Sequence, residues 1–135
     1  MADCIFCAIA AGNAPATIVD EDADTVAFMD INPWQRGHAL VIPRRHYENL
    51  LEIEPDDLTK TVAAAQRLAA KMKDRLGVDG VVLWNSCGVA AGQVVMHFHI
   101  HVIPTEGEPP QLPRPEELAD KAAIAAAAAT LRGDA

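Results

Sequence analysis

One ten-residue stretch constrains the fold more than any other: Val94-Val95-Met96-His97-Phe98-His99-Ile100-His101-Val102-Ile103, preceded by Gly92-Gln93 and followed by Pro104. β-Branched and aromatic residues are frequent in it, Gly and Pro bracket it, and it alternates, which predicts a strand. A period of two puts His97, His99 and His101 on one face and Phe98, Ile100 and Val102 on the other. The imidazoles then stand about 7 Å apart along the strand. Three of the chain's five histidines fall in this one row. A polar strand face that carries His by chance is a poor account of that register. Imidazole titrates near neutrality and serves as nucleophile, general acid, general base or metal ligand.

A chain of 135 residues is long enough for one domain with its own core, so residues 1–135 are read as a single domain. Half of the residues are apolar and 22% are charged, a globular rather than a disordered balance. The formal net charge of −8 makes a poor general ligand for nucleic-acid backbones or anionic membranes. Any phosphate should therefore meet a local site, which favours a small anionic substrate. Nothing approaches 18 uninterrupted apolar residues, so no membrane span is expected. Ile5 to Ala16 resembles a signal-peptide core only faintly, with no Lys or Arg before it, and a cytoplasmic location is expected. Cys4, Cys7 and Cys87 are odd in number and include one C-x-x-C, which speaks for metal or redox chemistry rather than a disulfide framework.

In chain order, Cys4-Ile5-Phe6-Cys7 leads into a short apolar helical turn ended by Gly12. Ile18 to Asp20 and Thr25 to Ile31 read as strands around an acidic turn, with Val26, Phe28 and Asp30 on one face of the second. Gly37 to Pro43 is a further strand, buried on both faces from Ala39 to Ile42, and His38 sits at its entry. Arg44, Arg45 and His46 follow in the connection. Pro55 opens a long helix to about Leu76, with acidic residues early, Lys71, Lys73 and Arg75 late, and Gly77 as its stop. Leu58, Val62, Ala65, Ala69, Met72 and Leu76 form its expected apolar stripe, packed on the sheet. Gly80 to Trp84 is a strand. Asn85 to Gly92 is a loop able to turn N–H groups toward an anion beside the histidines, with Cys87 a bystander thiol. After a loop at 105–110, Pro113 to Pro115 start a last helix, Glu116 to about Arg132, so rich in Ala that it should dock weakly.

Spacing alone leaves two chemistries open. Two or three of the histidines could bind a catalytic Zn²⁺ that activates water. Alternatively, one imidazole attacks phosphorus while its neighbours hold the phosphate and protonate the leaving group. Cys4 and Cys7 with two histidines, His46 among the candidates, could also close a structural zinc shell.

His97-Phe98-His99-Ile100-His101-Val102-Ile103 after Gly92-Gln93 resembles the histidine triad (HIT) superfamily of nucleotide hydrolases and transferases. Asp3-Cys4-Ile5-Phe6-Cys7-Ala8-Ile9, Phe28-Met29-Asp30-Ile31-Asn32-Pro33, Gly37-His38-Ala39-Leu40-Val41-Ile42-Pro43 and Arg45-His46 resemble its other segments, in order. The resemblance covers about 2–104 and implies an α+β fold: an antiparallel sheet of about five strands, one long helix and a C-terminal helix. It implies His99 as the nucleophile that forms a covalent nucleotidyl-histidine, His101 as the residue at phosphate and leaving group, and His38 as their support. Asp30 would hold the ribose, while Ile5, Phe6, Ile9, Phe28 and Ile31 would line the base pocket, with Ser86 and Gln93 near the phosphate. Ser86 stands where many members have Asn and Val94 where many have Ser or Thr. Cys4, Cys7, His46 and His97 would hold a structural zinc. The implied protein is a homodimeric hydrolase of AMP-like nucleoside phosphoramidates or dinucleoside polyphosphates that binds no nucleic acid. The alternatives are a zinc-stabilised nucleotide-binding adaptor with little turnover, and a hydrolase with catalytic zinc on the triad.

Overall fold

The computed structural model describes residues 3–110 and 115–134. Five strands, β1 (Ile18–Glu21), β2 (Thr25–Met29), β3 (Ala39–Pro43), β4 (Gly80–Trp84) and β5 (Ile100–Thr105), form one antiparallel sheet in the order β1-β2-β3-β5-β4. Helix α1 (Ile5–Ala10) lies on one face and α2 (Pro55–Lys71) on the other; α3 (Lys121–Arg132) is C-terminal. The α+β architecture is the expected one.

The two faces follow from alternation. Ala27, Ala39, Val41, Ile100 and Val102 meet Ala64, Ala65, Leu68 and Met72 of the α2 segment, with Phe98 buried among them. Val26, Phe28, Leu40 and Ile42 meet Phe6 and Ile9 of α1. β3 is central and buried throughout, which explains its unbroken apolar run. Each large side chain enclosed here contributes about 1.5–3 kcal/mol, and truncating Phe98 to Ala would cost about 3–5 kcal/mol.

The strand around the histidines differs from expectation. The ladder begins only at Ile100, where β5 pairs with β3, so His97 and His99 precede it. At Phe98 the backbone N–H instead donates to the Tyr47 carbonyl at 2.7 Å, because this segment runs beside the connection that carries His46. The alternation of faces persists regardless. At its other end β5 continues through Pro104 to Thr105. Pro is tolerated because the β3 pairing ends at Val102, and Pro104 has only Val81 of β4 opposite it.

The α2 stripe packs on the core at Leu58, Ala65, Ala69, Met72 and Leu76 as expected, and departs at one position. Val62 is 43% exposed, whereas Thr61, Ala64 and Leu68 are buried. The Thr61 hydroxyl donates to the Asp57 carbonyl at 2.6 Å, so its polar group is satisfied without water. The helix widens to a π-helical turn over Met72–Leu76 and ends at Gly77 in the left-handed region (φ 67°). Gly37 is required for two reasons: φ is 92°, and a Cβ would lie 2.6 Å from Leu76 Cδ1 and 3.1 Å from Pro104 Cγ. This close approach lets the turn before His38 pass over the end of β5.

The expected C-terminal helix from Glu116 is interrupted. Glu116–Ala119 is a 3-10 turn, and Asp120 is extended and caps α3 by accepting from Ala123 N–H at 3.1 Å. α3 buries none of its residues, in keeping with weak docking. Pro113, part of the expected helix start, lies outside the described residues. Among the described residues no helix is long and apolar enough to cross a membrane.

Candidate active site and metal centre

Two clusters of side chains share the segment from His97 to His101. The first joins chain start to sheet. Cys4 Sγ lies 3.4 Å from His97 Nδ1, and Cys7 Sγ lies 3.3 Å from His46 Nδ1 and 3.5 Å from His97 Nδ1. All four donor atoms lie within 4.8 Å of one another. A tetrahedral Zn²⁺ with ordinary Zn–S and Zn–N bonds would set S···N separations of about 3.5 Å, so this donor set fits that ion. His97 Nε2 lies 2.9 Å from the Pro43 carbonyl, which only accepts, so Nε2 carries the proton and Nδ1 offers its lone pair to the cluster. Burial pushes His97 down to about 4, which keeps the ring neutral as a ligand must be. Burial raises the Cys7 thiol in the absence of an ion. Arg44 braces the assembly from outside by donating to the Ala10 carbonyl at the end of α1 (2.9 Å) and to the Asp22 carbonyl (2.8 Å).

The second cluster is a directed chain of imidazoles. Trp34 N–H donates to His38 Nδ1 at 3.1 Å, so neutral His38 carries its proton on Nε2. His38 Nε2 is 2.9 Å from His101 Nδ1, which must therefore accept, leaving the His101 proton on Nε2. His99 Nδ1 lies 2.8 Å from the His97 carbonyl, so its proton is on Nδ1 and Nε2 holds a lone pair. The site thus presents one unprotonated nitrogen, on His99, beside one N–H donor, on His101. Their ring centroids are 5.1 Å apart. Burial is the first cause that lowers His38, His99 and His101, the last to about 4, so all three are neutral at pH 7. Asp30 Oδ2 opposes this modestly from 3.4 Å (His38 Nε2) and 3.9 Å (His101 Nδ1). Asp30, His38 and His101 could hold an ion by distance alone. The tautomers argue against it, since the one lone pair of His38 already accepts the Trp34 N–H.

The expected site residues divide by position. Phe6, Ile9 and Phe28 share one buried cluster, and the Phe6 ring meets His99 edge-on with centroids 5.3 Å apart. Ile5 is half exposed and Ile31 is 91% exposed, so neither belongs to that cluster. Asp30 Oδ1 accepts from Asn32 N–H at 2.7 Å and faces the turn, while Oδ2 faces the histidines. Gln93 is buried with its amide engaged: Oε1 accepts from Gly88 N–H at 2.8 Å, and Nε2 donates to the carbonyls of Glu48 and Val95. It braces the loop. Ser86 Oγ accepts from the Trp84 indole at 3.0 Å, and Val94 is 87% exposed.

Two neighbours escaped the sequence reading. Asn85 donates to the His99 carbonyl at 2.8 Å, a contact set by the turn after β4. Trp34 stacks on His101 with centroids 5.5 Å apart and an interplanar angle of 11°. A lone Trp after Asn32-Pro33 has no periodicity to reveal it. The Asn-Pro turn was the available signal.

Comparison with known proteins agrees with this geometry. Residues 11–108 match the family model described as HIT domain. An uncharacterised HIT-like protein of Methanocaldococcus jannaschii is 44% identical over 101 residues, 75% of this chain and 78% of that protein. Adenylylsulfatase HINT3 of Arabidopsis thaliana is 36% identical over 102 residues, 76% of this chain and 52% of that protein. The crystal structure of a Zn-bound histidine triad family protein from Mycobacterium smegmatis superposes with a TM-score of 0.77 at 34% identity, covering 96% of this chain and 98% of that one. With a triad on β5 and its approach, the five-stranded sheet and these relatives in agreement, the chain belongs to the HIT family.

Proposed function

We propose that the protein hydrolyses AMP-like nucleoside phosphoramidates or dinucleoside polyphosphates at the α-phosphate, through a nucleotidyl intermediate on His99. The observation that carries this reading is the pair of fixed tautomers, a lone pair on His99 Nε2 beside a proton on His101 Nε2. His99 Nε2 attacks the α-phosphorus as the bond to the leaving group breaks. The leaving atom keeps the electron pair and takes a proton from solvent, while His101 Nε2–H hydrogen-bonds to the phosphate and the departing atom. Water then attacks the nucleotidyl-histidine and loses its proton to solvent, while the P–N electron pair returns to His99. His38 keeps His101 in the donor tautomer throughout.

On this reading Phe6, Ile9 and Phe28 form the floor for the base, Ile5 and Ile31 the exposed rim, and Asp30 meets the ribose. Cys4, Cys7, His46 and His97 hold a structural zinc, which supplies rigidity with a closed shell and no open position for water. The Zn-bound mycobacterial neighbour supports that assignment, and a relative named for an adenylylsulfatase supports an adenylyl substrate. Catalytic zinc on the triad has less support, because among the described residues no candidate metal cluster joins His97, His99 and His101. A homodimer is supported by β4, an edge strand whose sequence Gly-Val-Val-Leu-Trp carries no charge and leaves Leu83 exposed. A cytoplasmic location without nucleic-acid partners belongs to the same reading, and the net charge of −8 supports the second part. One observation favours a weakly active adaptor: Val94 has no side-chain donor to offer a phosphate and is 87% exposed.

Intact-mass analysis of quenched wild type and His99→Ala, each with zinc retained, tests the mechanism during turnover of an AMP phosphoramidate. One added AMP on the wild type and none on the variant is the expected result. Turnover with no adduct would shift the chemistry to activated water. AMP binding without turnover would support the adaptor.

A further inference from the structure

Cys4 and Cys7 are a sulfur pair as well as two donors facing His46 and His97. Cys4 caps α1 in an extended conformation (φ −93°, ψ 113°), and its Sγ accepts the Cys7 N–H at 3.3 Å, so the first sulfur already sits over the residue that bears the second. A spacing of three residues at a helix start brings two Cα atoms to about 5 Å, inside the range that a disulfide spans. The two Sγ atoms lie within 4.8 Å of each other, and both cysteines are half-buried rather than enclosed. One of them is reached from outside. An open groove of about 540 Å³ has Cys4, His46, Glu48 and Val94 in its wall, and Cys7 takes no part in that wall. Cys87 belongs neither to the groove nor to the donor cluster.

Resting on the structural-zinc reading above, we propose that Cys4 and Cys7 are a redox-switched pair, which hydrogen peroxide entering the groove converts to an internal disulfide with release of the metal. The Cys4 thiolate attacks one peroxide oxygen, the O–O bond breaks, and hydroxide leaves and is protonated by solvent, so that Cys4 becomes a sulfenic acid. The Cys7 thiolate then attacks the Cys4 sulfur, the S–O bond breaks, and a second hydroxide leaves and is protonated. Two electrons pass from the sulfurs to one peroxide, which ends as two waters. Zinc is held by thiolate and not by disulfide sulfur, so the ion keeps only His46 and His97 and departs. Cys4 and Cys7 meet His97 Nδ1 at 3.4 and 3.5 Å, so closing the disulfide frees the histidine at the start of the reacting segment. A dithiol reductant with fresh zinc reverses the change.

The test treats zinc-loaded Cys87→Ser protein with excess hydrogen peroxide and follows, on one sample, zinc released to a colorimetric chelator and the intact mass. The expected result is one zinc freed per disulfide formed, a fall in mass of about 2 Da, and recovery of both on adding dithiothreitol and zinc. Limiting N-ethylmaleimide on the untreated zinc-loaded chain should label Cys4 before Cys7, read by fragmentation mass spectrometry. Labelling of Cys7 first would overturn the groove as the route in. Zinc that stays bound with the mass unchanged, zinc release accompanied only by gains of oxygen, or a disulfide joining two chains would overturn the switch while leaving the structural-zinc reading intact. Reduced protein that holds no zinc would remove the metal reading and the switch with it.

Discussion

Acidification should destabilise this fold in a way that His101 reports. The ring is pushed down to about 4, first by burial and then by repulsion from His99 and His38 when these are protonated; Asp30 only partly opposes this. In the unfolded chain the same imidazole has its ordinary value of 6.5. Between those values the unfolded state binds a proton that the folded state excludes, so stability rises with pH across that window. It is complete above 6.5 and lost progressively as pH falls toward 4. From pH 7 to pH 5 the loss from His101 alone is about 2 kcal/mol, and about 3 kcal/mol in the limit below 4. At a urea dependence of about 2 kcal/mol per molar, the first figure moves the unfolding midpoint by about 1 M. Other groups also respond to acid, so the informative quantity is a difference of differences. Urea midpoints at pH 7 and pH 5 should fall by about 1 M more in the wild type than in His101→Gln. Equal falls would show that His101 is not held neutral by its surroundings, and would refute the neutral proton chain from His38.

Three further outcomes are expected. Cys7→Ser should lose zinc, read by metal analysis of the purified protein, and lower Tm by on the order of 10 °C, with chelation of the wild type doing the same. Asn85→Ala removes the donor to the His99 carbonyl and should cost about 1 kcal/mol of stability by urea titration; kcat should fall about tenfold with KM nearly unchanged. A chain ending at Pro110 should melt within about 3 °C of the full-length protein by calorimetry, because α3 buries none of its residues.

The parts of this fold that could be read in advance are those where one physical pressure acts alone. β3 is apolar at successive positions because both faces are covered, and the histidine alternation survives even where the ladder does not. Four zinc-type donors spread from Cys4 to His97 do converge, although spacing alone left the set open and the family resemblance closed it. The α2 stripe held at Leu58, Ala65, Ala69, Met72 and Leu76 and missed only at Val62, where two phases compete. Hydropathy chooses Val62, but Thr61 hides its hydroxyl in the helix backbone and takes the core position. Asp120 broke the last helix by offering a better cap than the preceding Glu-rich turn could extend. Asn85 and Trp34 were unreadable for a different reason. Each acts through a contact across the sheet or a turn, and no local periodicity encodes it.

His97 joins the two halves of the site through three separate atoms. Its Nδ1 faces the cysteines, its Nε2–H is held by the Pro43 carbonyl, and its own carbonyl accepts the His99 Nδ1–H. Any backbone rotation of this residue that pulled Nδ1 from the cysteines would also move the carbonyl that fixes the His99 tautomer. A His99 freed from that carbonyl would populate the Nε2–H form, which has no lone pair on Nε2 for the proposed attack on phosphorus. On the proposed reading, a zinc held by Cys4, Cys7, His46 and His97 would govern turnover without touching substrate, by holding one peptide unit still. The same proposal would give a physical reason for placing a metal donor and a reacting imidazole two residues apart in one extended segment, rather than on separate elements.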